Sequence, residues 1–124
     1  MKYNVKNNVI EIEDLSEFNI KHILECGQVF RFKTMPFGYE VHSLYHKARI
    51  SCHKTVKIEC DDVKYFINYF DLDENYDTIK HKLRQNPLLE HAIASGEGIR
   101  ILRQNPIETI ISFIISANNN IPRI

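Results

Sequence analysis

The sequence predicts an α+β fold: an antiparallel twisted β-sheet with short helices, followed by the first helices of an all-α unit. Three observations predict it. Apolar residues alternate through the first half, the pattern of a sheet with one dry face. After Asp61-Asp62 the apolar period lengthens to that of a helix. The phrase Leu-Arg-Gln-Asn-Pro then occurs twice, at 83–87 and 102–106. Each copy puts Asn where an N-cap belongs and Pro at the first helical position, where its missing N–H costs nothing.

Taken in order, Val9-Ile10-Glu11-Ile12-Glu13 sets Ile10 and Ile12 on one face, behind a turn at Asn7-Asn8. Asn19 caps a short helix over 20–25, with Gly27 just past its end. Val29 to Lys33 alternates as a strand, Pro36-Phe37-Gly38 is a turn, and Tyr39 to Leu44 alternates again. Ala48 to Cys52 and Thr55 to Cys60 supply two more strands. Val63, Phe66, Ile67 and Phe70 follow at helical spacing, and Tyr76, Ile79 and Leu83 predict another helix. Asn86-Pro87 starts a helix holding Leu88, Leu89, Ala92 and Ile93, which Gly96-Glu97-Gly98 stops. Asn105-Pro106 starts the last full helix. It carries Ile107, Ile110, Ile111 and Ile114 on one stripe, with Phe113 and Ile115 partly off it. That distribution predicts burial on more than one side. The division expected is a sheet domain over 1–75 and the start of a helical domain over 76–124.

Bulk properties narrow the function. The 124 residues are 44% hydrophobic and 26% charged, ordinary values for a globular chain. Lys+Arg and Asp+Glu are 16 each, so the basic excess of a complete DNA-binding protein is missing. Three cysteines without a C-x-x-C pair argue against a disulfide framework and suit a reducing, cytoplasmic or otherwise intracellular compartment. Cys52, His53 and Cys60 lack paired ligand spacing, so no metal site is expected. The first residues hold no apolar stretch, so no signal peptide is expected, and no apolar run is long enough for a membrane-spanning helix. Asn118-Asn119-Asn120 breaks the last full helix, and Ile121-Pro122-Arg123-Ile124 reads like the first turn of a new one. The expectation is an N-terminal piece of a longer protein, with its apolar stripe open to self-association.

Two segments carry a resemblance. One is Cys26-Gly27-Gln28-Val29-Phe30-Arg31-Phe32. The other runs from Leu102-Arg103-Gln104-Asn105-Pro106-Ile107-Glu108 through Phe113 to Asn118-Asn119-Asn120-Ile121-Pro122-Arg123-Ile124. With Tyr69-Phe70-x-Leu72-Asp73, they resemble the 8-oxoguanine DNA glycosylases of the helix-hairpin-helix superfamily. The resemblance covers nearly the full chain and implies the TATA-binding-protein-like N-terminal domain of those enzymes.

The resemblance also implies roles. Such an enzyme flips the damaged base out of the stack and reads it in a pocket. Oxidised guanine presents an N7–H where guanine presents an acceptor, and a backbone carbonyl can accept from that hydrogen. Gly27 sits where the family supplies this carbonyl, and Phe113 matches a pocket-lining aromatic. By residue type alone, Gly27 also reads as a helix terminator and Phe113 as core. Asn118 and Arg123 match positions facing the orphaned cytosine, whose acceptors suit a guanidinium. Without the family, the three asparagines are a polar helix stop and Arg123 a solvated residue. Arg31 is expected to be structural, pairing with a carboxylate or helix carbonyls.

The family's chemistry uses a lysine amine that attacks the sugar at C1′, with an aspartate assisting, and a Gly-rich hairpin precedes that lysine. Among Gly27, Gly38, Gly96 and Gly98 none lies in such a hairpin, so no catalytic residue is assigned in this chain. No metal or organic cofactor is implied. The partner implied is double-stranded DNA containing 8-oxoguanine opposite cytosine, bound through the full-length protein. Two other readings stay open: an alkylated-base DNA glycosylase of the same superfamily, and a non-catalytic sheet domain binding DNA or a protein partner.

Overall fold

A computed structural model describes residues 1–117 and Asn119. The strands are β1 (Tyr3–Lys6), β2 (Val9–Ile12), β3 (Phe32–Met35), β4 (Gly38–Ser43), β5 (His46–Cys52) and β6 (Val56–Cys60). The helices are α1 (Ile20–Glu25), α2 (Val63–Tyr69), α3 (Tyr76–Leu83), α4 (Glu90–Ser95) and α5 (Pro106–Ser116). A 3₁₀ turn at Pro87–Leu89 leads into α4.

The six strands form one antiparallel sheet in the order β1-β2-β6-β5-β4-β3. The hairpin β1–β2 turns at Asn7 and Asn8, whose φ values of 49° and 61° are both positive. That is the geometry of the tight hairpin turn, and Asn tolerates it better than most residues. The chain then leaves through α1, re-enters at the far edge as β3, and meanders back until β6 pairs with β2. The β2–β6 and β5–β6 registers align Ile10, Ile58 and Ile50 across three strands, and all three are buried.

Onto that dry face pack α1 and α2. Ile20, Ile23 and Leu24 of α1 are buried, as are Phe66 and Tyr69 of α2 with Phe70 and Leu72 just beyond it. Phe18 meets Phe70 edge to face at 5.5 Å, and Tyr69 meets Phe70 at 5.1 Å. Burying side chains of this size contributes about 2–3 kcal/mol each. The same cluster takes in Leu102, so the segment ahead of α5 belongs to the core of the sheet.

Three local expectations are corrected. The edge strand β1 is added, because its mostly exposed Tyr3–Lys6 shows no alternation and becomes a strand only through pairing with β2. The strand expected over 29–33 starts only at Phe32. Ahead of it the chain bends, with Phe32 N–H donating to the Phe30 carbonyl at 3.0 Å; the Gln28 and Arg31 side chains bond to the segment 100–108, and only the Arg31 carbonyl reaches β4, accepting from His42 N–H at 2.9 Å. Finally, α5 buries no residue: Ile107 is 70% exposed and Ile114 68%. Among the described residues nothing packs over that stripe.

The segment from Gly98 to Gln104 threads between α1 and α2. Asn19 N–H donates to the Gly98 carbonyl at 2.8 Å, and Arg103 N–H to the Tyr69 carbonyl at 2.9 Å. Arg100 is fully buried. Its guanidinium donates to the main-chain oxygens of Phe70 (3.2 Å), Glu17 (3.1 Å), Asp71 (2.6 Å) and Glu74 (2.8 Å). Phe70 and Asp71 follow the last turn of α2, where carbonyls lack intrahelical partners and a cation is favoured.

Candidate functional site

The site begins at the end of α1. Asn19 caps that helix as expected, its Oδ1 accepting from His22 N–H at 3.2 Å. The helix closes at Cys26, and Gly27 follows with φ +88°. This left-handed step needs glycine and gives the helix its stop. Gly27 is exposed, and a Cβ built on it meets nothing within 4 Å. No N–H or O–H group among the described residues bonds to its carbonyl oxygen. The main chain here is open on one side, with an acceptor to spare.

Gln28, next in the chain, is tied in three directions. Its Nε2 donates to the Ile23 carbonyl at 2.8 Å and to the Arg100 carbonyl at 2.9 Å. Its Oε1 accepts from Leu102 N–H at 2.9 Å. Its own carbonyl accepts from the Gln104 side chain. The sequence assigns this residue no role, and no local signal marks it, because three of its four bonds reach residues more than 70 positions away.

The helix α5 comes next. Asn105 caps it, accepting from the N–H groups of Ile107 (3.0 Å) and Glu108 (3.1 Å). Glu108 stands at the third helical position, where a carboxylate usually folds back on its own cap. Here it reaches across instead. It pairs with Arg31, accepts from Ser43 Oγ at 3.2 Å and from Leu44 N–H at 3.0 Å. This is the carboxylate partner expected for Arg31. The residues between Gly27 and Arg31 are thereby pinned from both ends. Phe30, in the middle, meets Phe113 of α5 edge to face at 5.1 Å. Phe113 is 46% exposed, so it is a surface aromatic and not the core residue its type suggested.

Behind this pair the Tyr69 hydroxyl is buried and has no partner among the described residues. Burial raises its pKa, and the negative charge of Glu108 adds to the rise.

The structure therefore brings together the segment that follows Gly27 and the Phe113 face of α5. Asn118 and Arg123 lie outside the described residues. Among the described residues, no three His, Cys, Asp or Glu side chains are grouped to hold a metal ion, and no helix is long and apolar enough to cross a membrane.

Comparison with known proteins shows the family and the fold. The model of the family "8-oxoguanine DNA glycosylase, N-terminal domain" matches residues 10–110. An N-glycosylase/DNA lyase of Saccharomyces cerevisiae is 36% identical over 132 residues, covering 88% of this chain and 34% of its own length. The 8-oxoguanine glycosylase/lyase of Clostridium acetobutylicum in its apo-form superposes with TM-score 0.82 at 36% identity, over 97% of this chain and 44% of that one. The same enzyme with double-stranded DNA carrying cytosine opposite 8-oxoguanine gives TM-score 0.82 and 36% identity, over 98% and 44%. This chain thus spans between a third and a half of the length of these relatives. Strands β3 to β6, nearly all of β2, the α1–Gly27 turn and the Asn105-Pro106 helix start fall inside the matched region, and the chain belongs to the 8-oxoguanine DNA glycosylase N-terminal domain family.

Proposed function

We propose that the full-length protein carrying this chain is a base-excision-repair DNA glycosylase with AP lyase activity that flips 8-oxoguanine out of duplex DNA and excises it opposite cytosine. This chain supplies part of the recognition and none of the chemistry. Its partner is lesion-bearing double-stranded DNA. Residues 1–75 form the sheet domain and 76–124 begin the helical domain in this reading.

The carrying observation is the unbonded carbonyl of Gly27, exposed at the end of α1 three residues ahead of Phe30, whose ring meets Phe113. A flat base lying there offers its N7–H to that oxygen only when it is oxidised. Guanine would set an acceptor against an acceptor, and an unpaired polar contact of that kind costs about 1–3 kcal/mol. The absence of a Cβ lets the backbone approach the base closely. Phe113 lines the same pocket, while Asn118 and Arg123 hold the orphaned cytosine through its O2 and N3 acceptors. The neutral charge of the chain agrees with this division, since the phosphate grip belongs to the helix-hairpin-helix part.

Borohydride trapping tests the reading. A lysine Schiff base with C1′ is reduced to a stable covalent adduct. The full-length protein is expected to trap on duplex with 8-oxoguanine opposite cytosine, and residues 1–124 alone are not. An adduct with this chain alone, or none with the full-length protein, sinks it.

A further inference from the structure

We infer that Gln28 is the positioning residue for the Gly27 carbonyl, and that lesion discrimination depends on its side-chain amide. The inference rests on the proposed role of Gly27.

The argument starts from the peptide bond. The carbonyl of residue 27 and the N–H of residue 28 share one rigid plane. Whatever fixes the main chain of Gln28 therefore fixes the direction of the Gly27 oxygen. Gly27 contributes no stiffness of its own: its φ of +88° lies in a region glycine enters and leaves freely, and no neighbour comes within 4 Å of a Cβ there. The orientation has to be imposed from the next residue.

Gln28 is built for this. Both amide hydrogens are used, on the Ile23 and Arg100 carbonyls, and its Oε1 accepts from Leu102 N–H. The Gln104 side chain holds its main-chain oxygen, in the peptide plane that follows, so Gln28 is fixed on both sides of its Cα. These partners are themselves immobile. Ile23 lies in α1 and is fully buried, Arg100 is fully buried, and Leu102 belongs to the core. An isosteric hydrocarbon would fill the space, leave the Arg100 carbonyl and the Leu102 N–H without partners, and leave the Ile23 carbonyl with the Cys26 thiol alone. The peptide plane would then be free to swing at the glycine. Misplacement of a recognition group by about 1 Å can cost up to a hundredfold in rate, even when the altered residue does not touch substrate.

The test separates positioning from mere support of the fold, using the full-length protein. Gln28→Met removes all three side-chain bonds at similar volume. Gln104→Met removes only the bond to the main-chain oxygen of Gln28. Two single-turnover rates are read: release of 8-oxoguanine opposite cytosine, and strand cleavage at a preformed abasic site, which requires no base reading. Base release is expected to fall about tenfold or more in Gln28→Met and less in Gln104→Met. Cleavage of the abasic site is expected to keep its rate. Parallel loss of both rates, including loss through misfolding, overturns the inference, as does unchanged base release. If the unaltered protein releases no 8-oxoguanine at all, it is the reading of Gly27 that falls.

Discussion

The guanidinium of Arg100 lies over the ring of Tyr76, 4.2 Å from its centroid, while its N–H groups reach four main-chain oxygens. The charge is buried without a carboxylate in direct contact, and it is tolerated because helix-end carbonyls and an aromatic face replace water around it. It joins the Glu17 loop, the end of α2 and the start of α3. Arg100→Met is expected to destabilise the protein by about 3–5 kcal/mol, since it strips donors from buried carbonyls. Arg100→Lys should fall between, because an ammonium cannot span the same fork. Urea denaturation measures both, and an unchanged midpoint for Arg100→Met would contradict this account.

Tyr39 gives a prediction in pH. Burial pushes its phenol up to about 12, helped by the hydrogen bond to Glu25 at 2.8 Å and the charge of that carboxylate. The folded state thus prefers the neutral phenol more than the unfolded state does. The contribution is fully present below pH 10.0, the ordinary value, and is lost as pH rises through about 12. Thermal unfolding followed across that window should show a steeper fall in midpoint for the wild-type protein than for Tyr39→Phe. Equal falls would mean that Tyr39 does not titrate as described.

These contacts show which parts of the molecule were legible beforehand. Helix starts were, because capping is decided within four residues: Asn19, Asn86 and Asn105 each accept from N–H groups two or three positions ahead. The dry face of the sheet was, because Ile10, Ile50 and Ile58 obey a period of two. The clasp was not. Gln28, Arg100 and Glu108 find partners across the whole chain, and each has an ordinary local reading: a loop amide, a surface cation and an acid in the first turn of a helix. The exposure of α5 was hidden for the opposite reason, since apolar periodicity reports a face that seeks cover without saying where the cover is.

Glu108 is the anchor of α5, and removing it should loosen that helix from the sheet. Its carboxylate meets Arg31, Ser43 and the N–H of Leu44, a residue with φ +52° whose turn depends on that bond. Arg31 is partly exposed, so water screens the ion pair and reduces its worth. The hydrogen bond from Ser43, a buried residue, is better protected. Glu108→Ala is expected to cost about 2 kcal/mol, and Glu108→Gln about half of that, because the amide oxygen can still accept one bond. Amide exchange should quicken at Leu44 and in the first turn of α5. Unchanged protection there would show that α5 is held by something else.

Gly27 and Gly98 both have positive φ, +88° and +74°, yet alanine should affect them very differently. At Gly98 a Cβ would sit 2.7 Å from Asn19 N and 2.8 Å from Asn19 Cβ, against the cap of α1. The clash adds to the left-handed strain, and Gly98→Ala should cost about 3 kcal/mol or more. At Gly27 the methyl meets nothing within 4 Å among the described residues beyond its chain neighbours, so only the strain remains, about 1 kcal/mol. The functional order is expected to reverse. The space beside Gly27 is where a flat base would lie, and the added methyl would hold it away from the carbonyl. In the full-length protein, Gly27→Ala should cut 8-oxoguanine release about tenfold or more while stability barely changes. Gly98→Ala should lower the melting point and leave the rate per folded molecule near wild type. If the two variants lose activity only in proportion to lost stability, Gly27 is a helix terminator and nothing more.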